Sequence, residues 1–347
     1  MKVFFGGPDK PPYYLRNLLA EKIDEIGLNG EIFWITYYFR DLFLVEKLIN
    51  AAERGAKITI LLEARPRIKN ANLEVINLLK SHSKINIKAI RHSMPHKHLF
   101  SSFPKIHEKL YYFKNNNIKY AFIGSFNPSG RADDDPKIIE SIGDQDRGHN
   151  FLIEIDDNLL LDNLYNHCVY MYNIRHGFLE NIKKWKSCIE SKTISIHFFP
   201  WANKKVVFNF VKIATTGDRI YIAVSHFTSL LAIYNLIKLA KKGVTIKVIS
   251  HDTKRRFPLK IEKLLNSYNI PCIRYNHPKK YPMHNKFIIL ERETDSLVAF
   301  GSLNLTVRSL NESHEIFYIT NNLKIVNEFK LRWLEMEKEI ISHSYGH

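Results

Sequence analysis

With 347 residues, 45% hydrophobic and 25% charged, the chain has enough apolar material for two modest domains or one duplicated unit, which excludes wholesale disorder. Lys and Arg total 51 against 35 Asp and Glu, and the formal net charge of +16 favours anionic partners: nucleic acid, an acidic membrane face or a phosphate-bearing substrate. The three cysteines, Cys168, Cys188 and Cys272, form no Cys-x-x-Cys pair, so no cysteine zinc knuckle or disulfide framework is indicated and a reducing compartment fits.

The chain opens with Val3-Phe4-Phe5-Gly6-Gly7-Pro8, an apolar run too short for a signal peptide. Leu15, Leu18, Leu19, Ile23 and Ile26 then recur at helical spacing. Glu31 to Tyr37 reads as a strand, Leu44 to Arg54 as a helix stopped by Gly55, and Lys57 to Leu62 as the next strand. From Arg91 to Lys105, basic residues and His92, His96 and His98 alternate with Met94, Leu99, Phe100 and Phe103. That mixture suits an acidic membrane surface, and it equally suits a buried loop with snorkelling bases. The three histidines have no carboxylate or cysteine to complete a zinc site, so no metal is expected.

A hairpin follows: Leu110 to Phe113, a turn at Asn115-Asn116-Asn117, and Tyr120 to Ile123. The acidic run Asp133-Asp134-Asp135, with Asp144 and Asp146 beyond it, is expected to be a solvated loop. The Lys-rich stretch from Ile182 to Lys192 reads as a link, placing one domain over residues 1–190 and another over 191–347. His197-Phe198-Phe199-Pro200 reopens the pattern: a strand Ile220 to Val224, a helix Tyr234 to Lys242 stopped by Gly243, and a strand Thr245 to Ile249. Leu323 to Ile341 reads as an amphipathic helix with Ile325, Phe329, Trp333 and Met336 on one face. No stretch approaches the roughly 18–20 uninterrupted apolar residues of a membrane span, so a cytoplasmic protein that meets lipid only peripherally is expected.

Strands alternating with helices predict βαβ units in a sheet covered on both faces, and the polar residues repeat along with them. His107, Lys109, Gly124, Ser125 and Asn127 each recur 177 positions later as His284, Lys286, Gly301, Ser302 and Asn304. On a strand, His and Lys two apart share a face. A lone His-x-Lys means little; two copies, each followed by Gly-Ser-x-Asn at the same distance, are a strong signal.

At these residues the chain resembles the phospholipase D superfamily, from Phe4 to about Ile319. The resemblance implies an α/β fold, duplicated, with two mixed or parallel sheets flanked by helices and a pseudo-two-fold with one active site between the halves. It also implies a phosphodiesterase or phosphatidyltransferase that needs no cofactor or metal, a monomer holding both half-sites in one chain. One histidine would attack phosphorus to form a covalent phosphohistidine, and the other would act as acid and base. Lys109, Lys286, Asn127 and Asn304 would grip the non-bridging oxygens, with Ser125 and Ser302 adding hydrogen bonds. Glu315 matches the family carboxylate that orients the histidine of the opposite half, here His107. The matching place in the first half is Asn150, which leaves His284 to Asp146 or Glu154 and inclines the assignment to His107 as nucleophile. Lys114 and Glu291 stand where the family aspartate usually follows the motif lysine, which blurs the branch.

Three readings stay open. Phe4-Phe5-Gly6-Gly7-Pro8, Arg54-Gly55-Ala56-Lys57 and Asn304-Leu305-Thr306-Val307-Arg308-Ser309 resemble the cardiolipin synthase branch and favour an anionic glycerophospholipid at a membrane surface. The His-to-Asn spacing of twenty resembles nuclease members, and Tyr37, Tyr38, Tyr111 and Tyr112 would stack bases if exposed. A catalytically inactive anion-binding protein is the third.

Overall fold

The computed structural model describes residues 1–90, 105–129, 146–173, 187–191, 193–293 and 295–344. The mixed basic and apolar segment from Arg91 to Pro104, the run Asp133–Asp135 with Asp144, and residues 182–186 of the expected link lie outside them. The chain divides into two compact units, Met1–Trp185 and Lys186–His347.

Unit 1 runs β1 (Lys2–Gly6), α1 (Tyr14–Asp24), β2 (Glu31–Thr36), α2 (Leu42–Glu53), β3 (Lys57–Glu63), α3 (Leu73–Lys80) and β4 (Ile85–Ile90). The short β5 (Lys105–Ile106) then leads to β6 (Leu110–Asn115), β7 (Ile118–Gly124), β8 (Asn150–Ile155) and α4 (Asn158–Asn173). Its seven-stranded sheet has the order β1-β8-β7-β6-β2-β3-β4. Strands β2, β3 and β4 are parallel, while β6, β7, β8 and β1 add on antiparallel. The sheet is therefore mixed: the βαβ expectation holds for the three strands joined through helices, and of the antiparallel strands β6 and β7 form a hairpin.

Unit 2 contains β9 (Cys188–Glu190), β10 (Ile194–Phe199), α5 (Lys205–Lys212), β11 (Arg219–Val224), α6 (Leu230–Ala240), β12 (Thr245–His251), α7 (Leu259–Asn266) and β13 (Cys272–Tyr275). It continues with β14 (Lys286–Glu291), β15 (Leu297–Gly301), α8 (Val307–Asn311), β16 (Ser313–Thr320) and α9 (Leu323–Ser344). Its strand order is β13-β12-β11-β14-β15-β16-β10-β9. Apart from the edge strand β9, this repeats unit 1 strand for strand. Cys188–Glu190, read from sequence as part of a link, is that extra edge, pairing antiparallel with β10.

Each unit has its own apolar core. In unit 1, Leu15, Leu19 and Ile23 of α1 and Leu44, Val45 and Leu48 of α2 pack with Ile32, Trp34, Ile58 and Ile60 of the sheet. Trp34 is fully buried, with its ring 5.0 Å from Tyr111 and 5.5 Å from Phe39. In unit 2, Ile325, Phe329, Trp333 and Met336 are all buried, as the amphipathic pattern predicts, and the Trp333 indole donates to the Ile222 carbonyl at 3.2 Å. The helix expected to begin at Tyr234 begins at Leu230, because the Ser229 hydroxyl accepts the Ala232 amide and caps it there. Gly55 and Gly243 end α2 and α6 at φ +96° and +85°, backbone that favours glycine.

Candidate active site

The end of β2, the start of β6 and the end of β7 meet in unit 1, and β11, β14 and β15 do the same in unit 2. His107 and Lys109 lie ahead of β6, and His284 lies ahead of β14, which Lys286 opens. The two motif side chains do not simply alternate along a strand, as the spacing predicted. Instead Lys109, 1% exposed, turns its Nζ back to donate to the His107 carbonyl at 2.6 Å. Lys286, 2% exposed, does the same to the His284 carbonyl at 2.5 Å. One of the three ammonium donors thus ties each lysine to the main chain of its histidine.

The residue between them faces the core. Glu108 is fully buried, with its Oε2 2.8 Å from Nε2 of the equally buried His167. Asn285 is buried in unit 2, where its side-chain amide contacts the Met336 sulfur at 3.4 Å.

Asn127 and Asn304 are held by their oxygens. Asn127 Oδ1 accepts the Tyr38 amide at 3.4 Å, and Asn304 Oδ1 accepts the His226 amide at 3.1 Å. With the carbonyl end engaged, the side-chain NH2 is the end able to donate to a phosphoryl oxygen. The next carbonyl in each copy reinforces the turn. Pro128 O accepts the Arg40 and Asp41 amides at 2.8 and 3.3 Å, and Leu305 O accepts those of Thr228 and Ser229 at 3.0 and 2.9 Å.

Ser125 and Ser302 are fully buried and engaged locally, which alters the direct phosphate contact expected of them. Ser125 donates to Asn150 Oδ1 at 3.2 Å and accepts the Phe151 amide at 3.1 Å. Ser302 donates to Glu315 Oε2 at 2.6 Å and accepts the Ile316 amide at 3.0 Å. A hydroxyl has one proton, and here a neighbour takes it. Asn150 and Glu315 therefore occupy the same structural place, as the motif alignment implied. The strand register agrees: Gly6 faces Asn150 and Phe199 faces Glu315.

Gly124 and Gly301 are required by close approach. A Cβ on Gly124 would lie 2.2 Å from the Phe151 carbonyl oxygen, and one on Gly301 would lie 2.0 Å from that of Ile316.

Several other residues of unit 1 were not assigned to the site from sequence. The Tyr37 ring stands edge-on to His107, centroids 5.3 Å apart, with Lys109 Nζ 5.8 Å from the Tyr37 ring. Burial, then the neighbouring Tyr38, holds the Tyr37 phenol well above its ordinary value, so it stays protonated. Glu63, fully buried at the end of β3, accepts the Ile106 amide at 3.1 Å, just before the motif histidine, and the Arg65 amide at 3.0 Å. Asn72 donates to the carbonyls of Tyr37 and Glu63, both at 2.9 Å, and accepts the Phe39 amide at 3.0 Å. A polar residue ending an apolar strand, as in Lys57–Glu63, is the signal that could have marked Glu63.

Other expectations change. Tyr111 and Tyr112 are buried, Tyr111 donating to the Phe126 carbonyl at 2.8 Å, so neither is available to stack a base. Asp146, expected on a solvated loop, is 3% exposed. Lys114 lies on β6 opposite Lys119, and Glu291 pairs with Lys330. Among the described residues there is no group of His, Cys, Asp and Glu suited to hold a metal, and no helix long and apolar enough to cross a membrane.

The family model described as "Cardiolipin synthase, PLD-like domain" matches residues 23–135 and again residues 210–335. The chain belongs to this phospholipase D-like family. Its two matches fall on the two units, so the repeat is a duplicated PLD-like domain, in a family of phosphodiesterases and transferases. No curated protein sequence matches the chain. Among solved structures, the phosphatidylserine synthase of Haemophilus influenzae aligns over 98% of this chain and 86% of its own at 11% identity, with a TM-score of 0.64. The polyphosphate kinase of Porphyromonas gingivalis aligns over 96% of this chain at 13% identity, also with a TM-score of 0.64. The chain spans only 50% of that kinase's length. At these identities the likeness is one of fold, and it extends over nearly the whole PLD-like chain.

Proposed function

We propose that this PLD-like protein hydrolyses or transfers a phosphodiester of an anionic glycerophospholipid through a phosphohistidine, with both motifs serving one reaction. His107 attacks phosphorus; a P–N bond forms as the P–O bond to the leaving group breaks, and His284 gives that oxygen its proton. Water or an acceptor alcohol then loses its proton to His284 and attacks phosphorus, breaking the P–N bond. Lys109, Lys286 and the NH2 groups of Asn127 and Asn304 stabilise the charge on the non-bridging oxygens. Ser125 and Ser302 act as positioning residues, and Glu315 orients His107.

The observation that carries this reading is the repeated tether of a buried lysine ammonium to the main chain of its histidine, at 2.6 and 2.5 Å. An ammonium anchored in this way beside its histidine is placed to meet the charge of a phosphoryl group. The lipid branch is favoured by exposed apolar residues in unit 2. Leu230 is 53% exposed, Leu231 48% and Tyr234 54% on α6, and Val307 is 59% exposed. They follow Ser229 and Leu305, which are hydrogen-bonded to each other beside Asn304. Such a cluster on a +16 chain suits an acidic lipid surface, with the protein bound peripherally as a monomer.

The test is incubation with labelled anionic phospholipid vesicles and, separately, with single- and double-stranded DNA, with and without EDTA. Lipid turnover that persists in EDTA and falls at least about 10³-fold in both His107→Ala and His284→Ala is expected. Cleavage of DNA alone, or activity surviving either substitution, would refute the reading.

A further inference from the structure

The Arg65-Pro66-Arg67 turn belongs to neither motif, yet it is wired to the first one. Arg65 and Arg67 are exposed on either side of a buried Pro66, whose ring fixes the backbone between them. Three amides of the turn are held, and Asn72 braces two of the residues that hold them. The Arg65 amide donates to Glu63 Oε1 at 3.0 Å, and the Arg67 amide donates to the Tyr37 hydroxyl at 2.7 Å. The Ile68 amide donates to the Tyr38 hydroxyl at 3.4 Å, and Asn72 ties the Tyr37 and Glu63 carbonyls together at 2.9 Å each. Glu63 also grips the amide of Ile106, next to His107, and Tyr37 stands edge-on to the His107 ring. Two guanidinium-bearing residues are thus fixed one tyrosine away from the proposed nucleophile.

The geometry points to a second anion subsite: the turn receives a further phosphate of the same substrate while His107 takes the phosphodiester. This rests on the phosphohistidine reading and adds to it a preference for substrates carrying two phosphates. The physical case is that guanidinium groups bind phosphate in a bidentate way, and exposed ones lose little hydration in doing so. Holding their backbone in advance lowers the ordering cost of binding.

Unit 2 repeats the arrangement only in part: the Thr253 amide donates to His251 Nδ1 at 3.3 Å, and Lys254 and Arg255 are exposed just beyond it. Ser225, the counterpart of Tyr37 one residue past the strand, is buried and has no ring to place beside His284, and at the end of β12 His251 pairs with Asp252 at 2.7 Å. The tyrosine that joins the turn to the motif histidine is therefore the feature particular to unit 1.

The second phosphate could belong to a lipid head group or to a nucleotide, and matched pairs separate the two. One pair is phosphatidylglycerol and phosphatidylglycerol phosphate in mixed micelles; the other is the p-nitrophenyl ester of thymidine 5′-phosphate with and without a 3′-phosphate. The full-length protein is expected to favour the two-phosphate member of at least one pair in kcat/KM. Arg65→Gln and Arg67→Gln should each lower that preference about tenfold, chiefly through KM. Equal losses on both members, or no change in the ratio, would overturn the subsite. Binding of inorganic pyrophosphate to the whole protein, measured by calorimetry, needs no turnover and so tests the subsite even if the catalytic reading fails. Loss of that binding in Arg65→Gln/Arg67→Gln supports the subsite, and binding unchanged from wild type refutes it.

Discussion

In unit 1 the motif serine gives its proton to an amide, Asn150; in unit 2 it gives it to a carboxylate, Glu315. Around that difference the scaffold is conserved within the chain: the strand order, the lysine folded back on its histidine carbonyl, the asparagine held by its oxygen, and the carbonyl that takes two amides. The histidine, lysine and asparagine proposed to meet the substrate are the same in both halves, and what differs is the set of residues packed around them. The asymmetries accordingly gather near the histidines: Tyr37 against Ser225, Glu108 against Asn285, Asn150 against Glu315. Two motifs with different surroundings suit the different roles proposed for His107 and His284.

The largest effect is expected where the halves agree. Gly124→Ala and Gly301→Ala each drive a Cβ into a carbonyl of the neighbouring strand, at 2.2 and 2.0 Å. Only Gly301 also sits at positive φ, +148°. Denaturant unfolding should show a loss of about 2–3 kcal/mol for Gly124→Ala and about 3–5 kcal/mol for Gly301→Ala. Equal losses would mean that backbone strain at Gly301 contributes nothing.

A smaller effect on stability but a large one on rate is expected where the halves differ. Glu315→Gln keeps an oxygen for the Ser302 proton and removes only the charge. Stability should change by about 1 kcal/mol or less, while kcat falls about 10²-fold if the carboxylate orients the nucleophile. Asn150→Asp places a charge where there is no exposure, and should destabilise without raising activity. Matching kinetic losses from the two substitutions would show that the difference between the halves is incidental.

Much of this was legible before any coordinates. The continuous apolar runs Leu110–Phe113 and Tyr120–Ile123 mark strands buried on both faces, and the 3.6 period of Leu323 to Ile341 is set by burial on one face, so element type and core residues could be read directly. The motif residues were legible because they repeat at one offset. Ends of elements were less so: α6 begins at Leu230 because of a single serine cap, a local bond with no periodic signature. Glu63 and Asn72 were not assigned, and Tyr37 was read only as a ring for stacking bases, because their roles come from hydrogen bonds and ring contacts across 9 to 70 positions of chain, and nothing in a linear pattern pairs them. The tyrosines show the same limit from the other side. An alternating strand says that Tyr111 and Tyr112 face opposite ways, but with both faces of the sheet covered both are buried.

The smallest expected effect concerns β1 and β10, whose registers with β8 and β16 place Phe4 of unit 1 and His197 of unit 2 at matching positions. His197 is 7% exposed, with Nε2 3.1 Å from the Ser195 hydroxyl and 3.9 Å from the Cys188 sulfur. Burial pushes its imidazole below the ordinary value near 6.5, and the Glu190 charge opposes this only in part. The unfolded chain therefore binds a proton first as pH falls through about 6.5, and the folded chain follows only at lower pH. Stability from this group is complete above that value and declines below it, until the folded imidazole also titrates. Urea midpoints measured at pH 7.5, 6.5 and 5.5 should fall toward acid in the wild type. In His197→Phe, which installs the residue of unit 1, the decline should be shallower, with no loss at pH 7.5. An unchanged slope would assign the acid sensitivity to other groups and leave His197 a packing residue like its counterpart.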